Sequence, residues 1–304
     1  MIIVTGAAGF IGGNLVRVLR ERGAAVVGID RRPGADVLAD LADPAAGAGD
    51  AADLLRGAEA VFHLAGAGGV RLDGPAAEAA WWECNVSATE AVLAAVPRST
   101  PLVVTSSSSV YGGVGPAGRP CREGDRLRPR GGYARSKVEV ERRVAARRDA
   151  GGRALVVRPF TVAGEGQRPD MALARWLAAA RAGRPLVVHG SLARRRDVTD
   201  VRHVAAALVA LAERDAVGTV NVGTGVAHTL GEMVAAVAEV VGPTGVVVEP
   251  THRHDVDATL ADTRRCRRLA GFVPRTDLVA LVRRQALAAA PAASPAPVPE
   301  PARA

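Results

Sequence analysis

A doubly wound α/β fold, in which a parallel sheet is covered by helices on both faces, is expected of this 304-residue chain on three grounds. Short apolar runs alternate along its first half with segments whose apolar residues recur at helical spacing, the pattern of strands buried on both sides. A glycine-rich turn joins the first apolar run to the first helical segment. Hydrophobic residues make up 48% of the chain and charged residues 23%, which provides a core and excludes wholesale disorder.

Ile2 to Thr5 reads as a buried strand, Phe10 to Arg22 as an amphipathic helix stopped by Gly23, and Ala24 to Ile29 as a second strand ending at Asp30. Further strands are expected at Ala60–Leu64, Leu102–Thr105 and Ala154–Arg158, with helices around 76–96 and 132–149 between them. Beyond about residue 163 the pattern loosens. Asp170–Ala182, Val201–Arg214 and Leu230–Val241 read as helices, and Leu186–His189 and Val220–Val222 as strands. The division that follows is a Rossmann domain over 1–162, rejoined by about 198–224, and a smaller C-terminal α/β domain over 163–197 and 225–288. Residues 289–304 are Pro/Ala-rich without periodic apolar positions, the composition of a disordered tail.

The net charge of +8 raises the question of nucleic acid, but the arginines are spread along the chain and no stacking aromatics are interleaved with them. Aromatic residues are only 3% of the chain, and of its 39 basic residues Lys137 alone is a lysine. Cys84, Cys121 and Cys266 are odd in number and far apart, which argues for free thiols in a reducing cytoplasm and against a zinc site. His252, His254 and Asp255 form no complete ligand set, so no metal is expected. No apolar run reaches membrane-spanning length, so a cytoplasmic protein without membrane contact is expected.

Gly6, Gly9 and Gly12 lie in TGAAGFIGG between the first strand and first helix. One glycine permits the tight turn, one lets the backbone approach a pyrophosphate, and one allows close helix–strand packing. The helix N-terminus beyond them, opening at Phe10 and Ile11, offers unpaired N–H groups to phosphate. Asp30, 18 residues past Gly12, can accept hydrogen bonds from ribose hydroxyls and repel a 2′-phosphate. NAD is therefore favoured, while Arg31 and Arg32 keep NADP open. Tyr133 and Lys137 stand at i and i+4 on one helix face, a pair suited to removing a proton from an alcohol beside an oxidised nicotinamide. The serines of Thr105-Ser106-Ser107-Ser108-Ser109 emerge at the carboxyl end of a strand, where ligands of open α/β sheets bind.

Over Ile2 to about Arg284 the chain resembles the extended short-chain dehydrogenase/reductases of the nucleotide-sugar epimerase and dehydratase group. The motifs are TGAAGFIGG, Asp40-Leu41, HLAG at 63–66, Asn85-Val86, SSSSVYG, YARSK, RPFTVAG at 158–164, RRD at 195–197, NVGTG at 221–225 and DVDATLAD at 255–262. The resemblance implies that Tyr133 is the catalytic base, that Lys137 binds the nicotinamide ribose and lowers the pKa of Tyr133, and that Ser107 bonds the sugar O4. It also implies that Asp40, Leu41, Leu64 and Ala65 line the cofactor site, that Arg196 and Asp255 contact the nucleotide sugar, and that the chain forms a homodimer. His252 stands where members of the family place a pyrophosphate-binding arginine, with Arg253 next to it.

Dehydratases of this group follow the catalytic hydroxyl with Asp-Glu, and decarboxylases carry a Glu at the position of Ser109. Ser108 and Ser109 can serve as neither carboxyl acid nor base, which leaves 4-epimerisation of a UDP-sugar. The UDP-glucuronate 4-epimerases resemble the chain further in Thr161, in Arg168 to Ala172 and in Gly69-Val70-Arg71. By that resemblance Ser107, Ser108, Ser109, Thr161 and Arg168 surround a sugar carboxylate, and Arg71 belongs to the same site. A 4-epimerase of a neutral UDP-sugar and a noncatalytic NAD-binding protein of the same fold are the alternatives.

Overall fold

The computed structural model describes residues 1–43, 49–69 and 74–288. Arg71 and the expected tail at 289–304 lie outside the described residues. The chain opens with β1 (Ile2–Thr5), α1 (Phe10–Glu21), β2 (Val26–Asp30), β3 (Val37–Leu38), α2 (Asp50–Arg56) and β4 (Ala60–His63). There follow α3 (Pro75–Trp81), a π-helical turn at Trp82–Ser87, α4 (Ala88–Ala95), β5 (Leu102–Thr105), α5 (Gly131–Asp149) and β6 (Ala154–Pro159). The remainder holds β7 (Val162–Ala163), α6 (Ala172–Arg181), β8 (Leu186–His189), β9 (Arg195–Asp197), β10 (Thr199–Asp200), α7 (Val201–Glu213) and β11 (Gly218–Val222). The last elements are β12 (Ala227–Thr229), α8 (Leu230–Val241), β13 (Val246–Glu249), α9 (Arg264–Ala270) and α10 (Leu278–Ala288).

Seven strands pair in the order β11-β6-β5-β4-β1-β2-β3, all of them parallel. The fold is thus the doubly wound sheet that alternating buried runs imply. One face packs on α1, α7 and α9 through Leu15, Leu19, Val204, Leu208 and Cys266. The other packs on α2, α4 and α5 through Leu55, Val92, Val140 and Val144. A third cluster joins α6, α8 and α10 to β8 through Leu173, Trp176, Leu186, Met233 and Leu281. The return of the chain into the main sheet at β11, beside β6, carries NVGTG back toward the first half.

Two differences from the sequence expectation have physical causes. The helix expected over 76–96 is interrupted by the π-turn, which contains the buried Asn85. Asn85 Oδ1 accepts from the Ala67 amide at 2.9 Å and its Nδ2 donates to Ala67 O at 3.1 Å and Ser136 Oγ at 2.9 Å, so the widened turn ties the loop after β4 to α5. The elements α2, α9 and β13 carry no clear apolar period: α9 buries only Cys266 and Ala270, and every residue of β13 is exposed although it pairs with β8.

Candidate active site

A cleft of about 930 Å³ opens beyond the carboxyl ends of β1, β2, β4 and β5, where the strand order reverses direction, and extends to β8 and α8. Its cofactor end is built on the glycine turn. Gly6 has φ +71°, and a Cβ there would stand 2.6 Å from the Ala65 nitrogen. A Cβ on Gly12 would meet Gly6 O at 2.0 Å. The turn is thus close-packed backbone, and α1 starts from Gly9 with no side-chain cap, so its leading N–H groups remain for an anion. Gly12→Ala is expected to lower stability by about 1–3 kcal/mol through overpacking, read as a fall in Tm.

Phe10, Ile11, Asp40, Leu41, Leu64 and Ala65 line this end together with Gly6, Gly9, Gly12, Asp30 and Arg31. Asp30 is buried. Its Oδ2 accepts from the Ala8 amide at 3.1 Å, and its Oδ1 from the Arg32 amide at 3.0 Å and Arg32 Nε at 3.3 Å. Arg31 pairs with Asp40 at 3.3 Å. The two arginines are therefore each engaged by an acidic residue. These features fit a dinucleotide: a cradle that side chains would fill, an uncapped helix terminus, and an acidic residue at the end of β2.

At the other end Tyr133, Lys137, Ser107, Ser108, Ser109, Thr161 and Arg168 line the same cleft. Ser107 precedes a short 3-10 turn, Ser108–Tyr111, and its Oγ accepts from the Ser109 amide at 3.1 Å. Tyr133 is partly exposed, with Trp81 edge-on at a centroid distance of 6.4 Å. Gly132 makes room for that indole, since a Cβ there would lie 2.6 Å from its ring. Burial raises the Tyr133 phenol above its ordinary pKa, while the Ser107 hydrogen bond and the Arg168 charge pull it down. Lys137 lines the same cleft, and its Nζ donates to Thr105 O at 3.0 Å. Burial brings the Lys137 ammonium down to about 8, with Glu141 opposing the fall. His63, between Thr5 and Thr89 at 2.7 and 3.0 Å, is lowered to about 3 by burial and then by Lys137.

Arg168 is held by Asp170 through two 2.9 Å bonds and lies against Gly68, where a Cβ would collide with its Nη1 at 2.0 Å. Ser109 Oγ and Thr105 Oγ1 are buried without a hydrogen-bond partner among the described residues. Arg196 and Asp255 line the cleft too, but Asp255 stands 3.6 Å from Arg194 Nη1 in a largely buried pair. Arg196 Nη1 donates to Arg195 O at 2.8 Å. Of the histidine cluster, His254 reaches the cleft and packs on Gly131. Sequence reasoning missed Arg130, Arg175, Trp176, His189 and His254 as lining residues. They come from loops and from the second half of the chain, and no motif marks them. No helix among the described residues is long and apolar enough to cross a membrane.

A Tyr and Lys one helical turn apart, beside a glycine-turn cleft at the switch point of a parallel sheet, define a short-chain dehydrogenase/reductase type of enzyme. The chain belongs to the NAD dependent epimerase/dehydratase family, whose sequence pattern matches residues 2–223, and its cofactor is NAD. It is 28% identical to the "Uncharacterized UDP-glucose epimerase YtcB" of Bacillus subtilis, over 91% of this chain and 94% of that one. It is also 28% identical to a "Probable UDP-glucuronate 4-epimerase" of Rhizobium meliloti, over 90% and 92% of the two chains. Among solved structures, MoeE5 in complex with UDP-glucuronic acid and NAD is similar at a TM-score of 0.83 and 36% identity, with 94% of this chain and 97% of that chain covered.

Proposed function

We propose that the chain catalyses the 4-epimerisation of UDP-glucuronate to UDP-galacturonate through a 4-keto sugar. The observation that carries the substrate is the polar wall beside Tyr133: Ser107, Ser108, Ser109, Thr161 and the Arg168 guanidinium share one cleft, and the Ser109 hydroxyl is buried with no partner among the described residues. A carboxylate meets such a wall with several charge-assisted hydrogen bonds. The chemistry gives the wall a purpose. A 4-keto uronic acid is a β-keto acid, and it loses carbon dioxide when its carboxylate stands perpendicular to the carbonyl plane. Hydroxyl donors and a guanidinium that neutralise the carboxylate and fix its plane oppose that loss.

When bound, NAD supplies the hydride chemistry at C4. Tyr133 holds the proton of the sugar O4, accepting it as the ketone forms and returning it when the alcohol is restored. Ser107 bonds the sugar O4 and orients it beside the phenol, which Ser107 also lowers. Lys137, whose Nζ is fixed on Thr105 O, presents an ammonium to the nicotinamide ribose. Gly6, Gly9 and Gly12, with Asp30, Arg31, Asp40, Leu41, Leu64 and Ala65, hold the rest of the cofactor. Arg196 and Asp255, which line the same cleft, face the UDP portion. No carboxyl stands at 108 or 109, the positions at which dehydratases and decarboxylases of the group carry theirs.

The reading is tested with UDP-glucuronate and UDP-glucose supplied separately. Arg168→Ala is expected to lower kcat/KM for the acid sugar by about 10- to 150-fold more than for a neutral one, the equivalent of one charge-assisted bond of about 1.5–3 kcal/mol, any loss common to both sugars reporting the Arg168 charge on Tyr133. Equal losses on both sugars, or turnover of UDP-glucose alone by the parent protein, overturn the carboxylate assignment and favour a neutral-sugar epimerase.

A further inference from the structure

Beneath the cleft lies a buried polar cluster that the reaction outlined above does not use. Glu141 is one helical turn beyond Lys137 on the inner face of α5, and it is 8% exposed. Its Oε1 accepts from Ser106 Oγ at 2.5 Å and from Arg158 Nε at 2.8 Å, while its Oε2 accepts from Arg158 Nη2 at 2.5 Å. Arg158, on β6, is 4% exposed and donates through Nη1 to Tyr111 Oη at 2.8 Å. The Tyr111 hydroxyl in turn donates to Asn221 Oδ1 on β11 at 2.6 Å. Every member is satisfied by another, as a buried polar network must be.

The cluster sits where it can act on the reacting groups. Successive turns of α5 grip successive residues at the end of β5: Lys137 binds the Thr105 carbonyl and Glu141 binds the Ser106 hydroxyl. The Ser106 amide is also fixed, donating to Val157 O at 2.8 Å. Ser107 is the next residue, and Tyr133 is one turn back along the same helix. Distances within Ser107, Tyr133 and Lys137 are thus set by one rigid helix gripping one strand end. We propose that Glu141, through Ser106 and Arg158, is a positioning residue of this site: it holds Ser107 against Tyr133 and supplies the facing carboxylate for the Lys137 ammonium.

An alternative is that the Glu141–Arg158 pair only joins α5 to β6, which would make it a stability element with no influence on the phenol. The two differ in what Tyr133 does. The Ser107 hydrogen bond lowers the phenol, so loosening Ser107 raises it. Arg168, which also lowers Tyr133, has no bond to Ser106 or Glu141, and substitutions at 106 or 141 leave both Ser107 and Arg168 chemically intact. Among the described residues, His63 on β4, Arg158 on β6 and Arg148 further along α5 are the other titratable or charged groups about Lys137 and Glu141.

The chain has only two tyrosines, and Tyr111 is pushed far up by burial, so the tyrosinate absorbance of the NAD-loaded full chain reports Tyr133, with Tyr133→Phe as the blank. Ser106→Ala is the mild variant, because it leaves the Glu141–Arg158 pair intact; Glu141→Gln is the strong one. In both, Tyr133 is expected to titrate at higher pH than in the parent. In Ser106→Ala, kcat falls about tenfold with KM changed less than about threefold, as for a small misplacement of reacting groups. Glu141→Asp should recover part of the loss seen in Glu141→Gln. A Tyr133 titration that stays in place in Ser106→Ala overturns the inference, whether or not Glu141→Gln folds. The inference rests on Tyr133 and Ser107 acting as proposed, and the two fail separately. A shifted titration in a protein that turns over neither sugar defeats the reaction alone, and an unshifted one in an active enzyme defeats the positioning role alone.

Discussion

Tyr133→Phe is expected to lower kcat by roughly 10²- to 10⁴-fold, the contribution of a placed acid–base group, and to leave NAD affinity within about twofold of the parent. The change removes one oxygen. The ring keeps its edge contact with Trp81, so the cleft retains its shape. What is lost is the group proposed to exchange the O4 proton. Burial already raises the phenol, so the neutral form dominates in the chain alone, and the Ser107 bond and Arg168 charge bring it only part of the way down. The positive nicotinamide of bound NAD favours the phenolate further. Measured on both sugars, the loss should be in kcat, with equilibrium binding of NAD followed independently by titration. Turnover within about threefold of the parent would remove Tyr133 from the mechanism. A collapse of NAD binding would instead assign the phenol to the cofactor cradle.

The first half of the site was legible in the sequence because its residues are local. Gly6 to Gly12 is one turn, Asp30 ends the next strand, and Tyr133 and Lys137 share a helix face, so spacing alone places each of them. Strands β1, β5 and β8 and helix α8 are found at the expected bounds because their apolar runs are short and cleanly interrupted. The remainder depends on pairings between distant residues. Arg168 is positioned by Asp170 and Gly68, Asp255 is tied to Arg194, and Glu141 meets Arg158 from another element. No period or motif encodes such meetings. Helical spacing brings Lys137 to the face of Tyr133, and the end of β5 fixes its ammonium there. Arg168, remote in sequence, adds a charge that lowers the phenol.

Lys137→Met separates the requirements of catalysis from those of stability. The only lysine of the chain is 7% exposed, and burial brings its ammonium down to about 8 from an ordinary value near 10.4. A base whose folded pKa is depressed destabilises the fold while both states are protonated. That cost is present in full below about pH 8 and disappears as pH rises from about 8 to about 10.4, where the folded state has lost its proton and the unfolded state has yet to. Methionine fills a similar volume without charge. It leaves the Thr105 carbonyl without its donor, which costs about 1 kcal/mol, against a relief of about 1–3 kcal/mol from removing the buried ammonium. At pH 7 the variant should therefore melt no lower than the parent, and its advantage should shrink across pH 8 to 10. Turnover should fall by about 10²-fold or more through loss of the cation proposed to bind the nicotinamide ribose. Arginine is no substitute, because the Cβ position of Gly66 already lies 3.3 Å from Lys137 Nζ and a planar guanidinium needs more room than an ammonium. Lys137→Arg should accordingly lose both activity and stability, so that only methionine divides the two. If Lys137→Met melts well below the parent at pH 7, the ammonium is a structural group; if it keeps full turnover, the lone lysine has no part in the reaction.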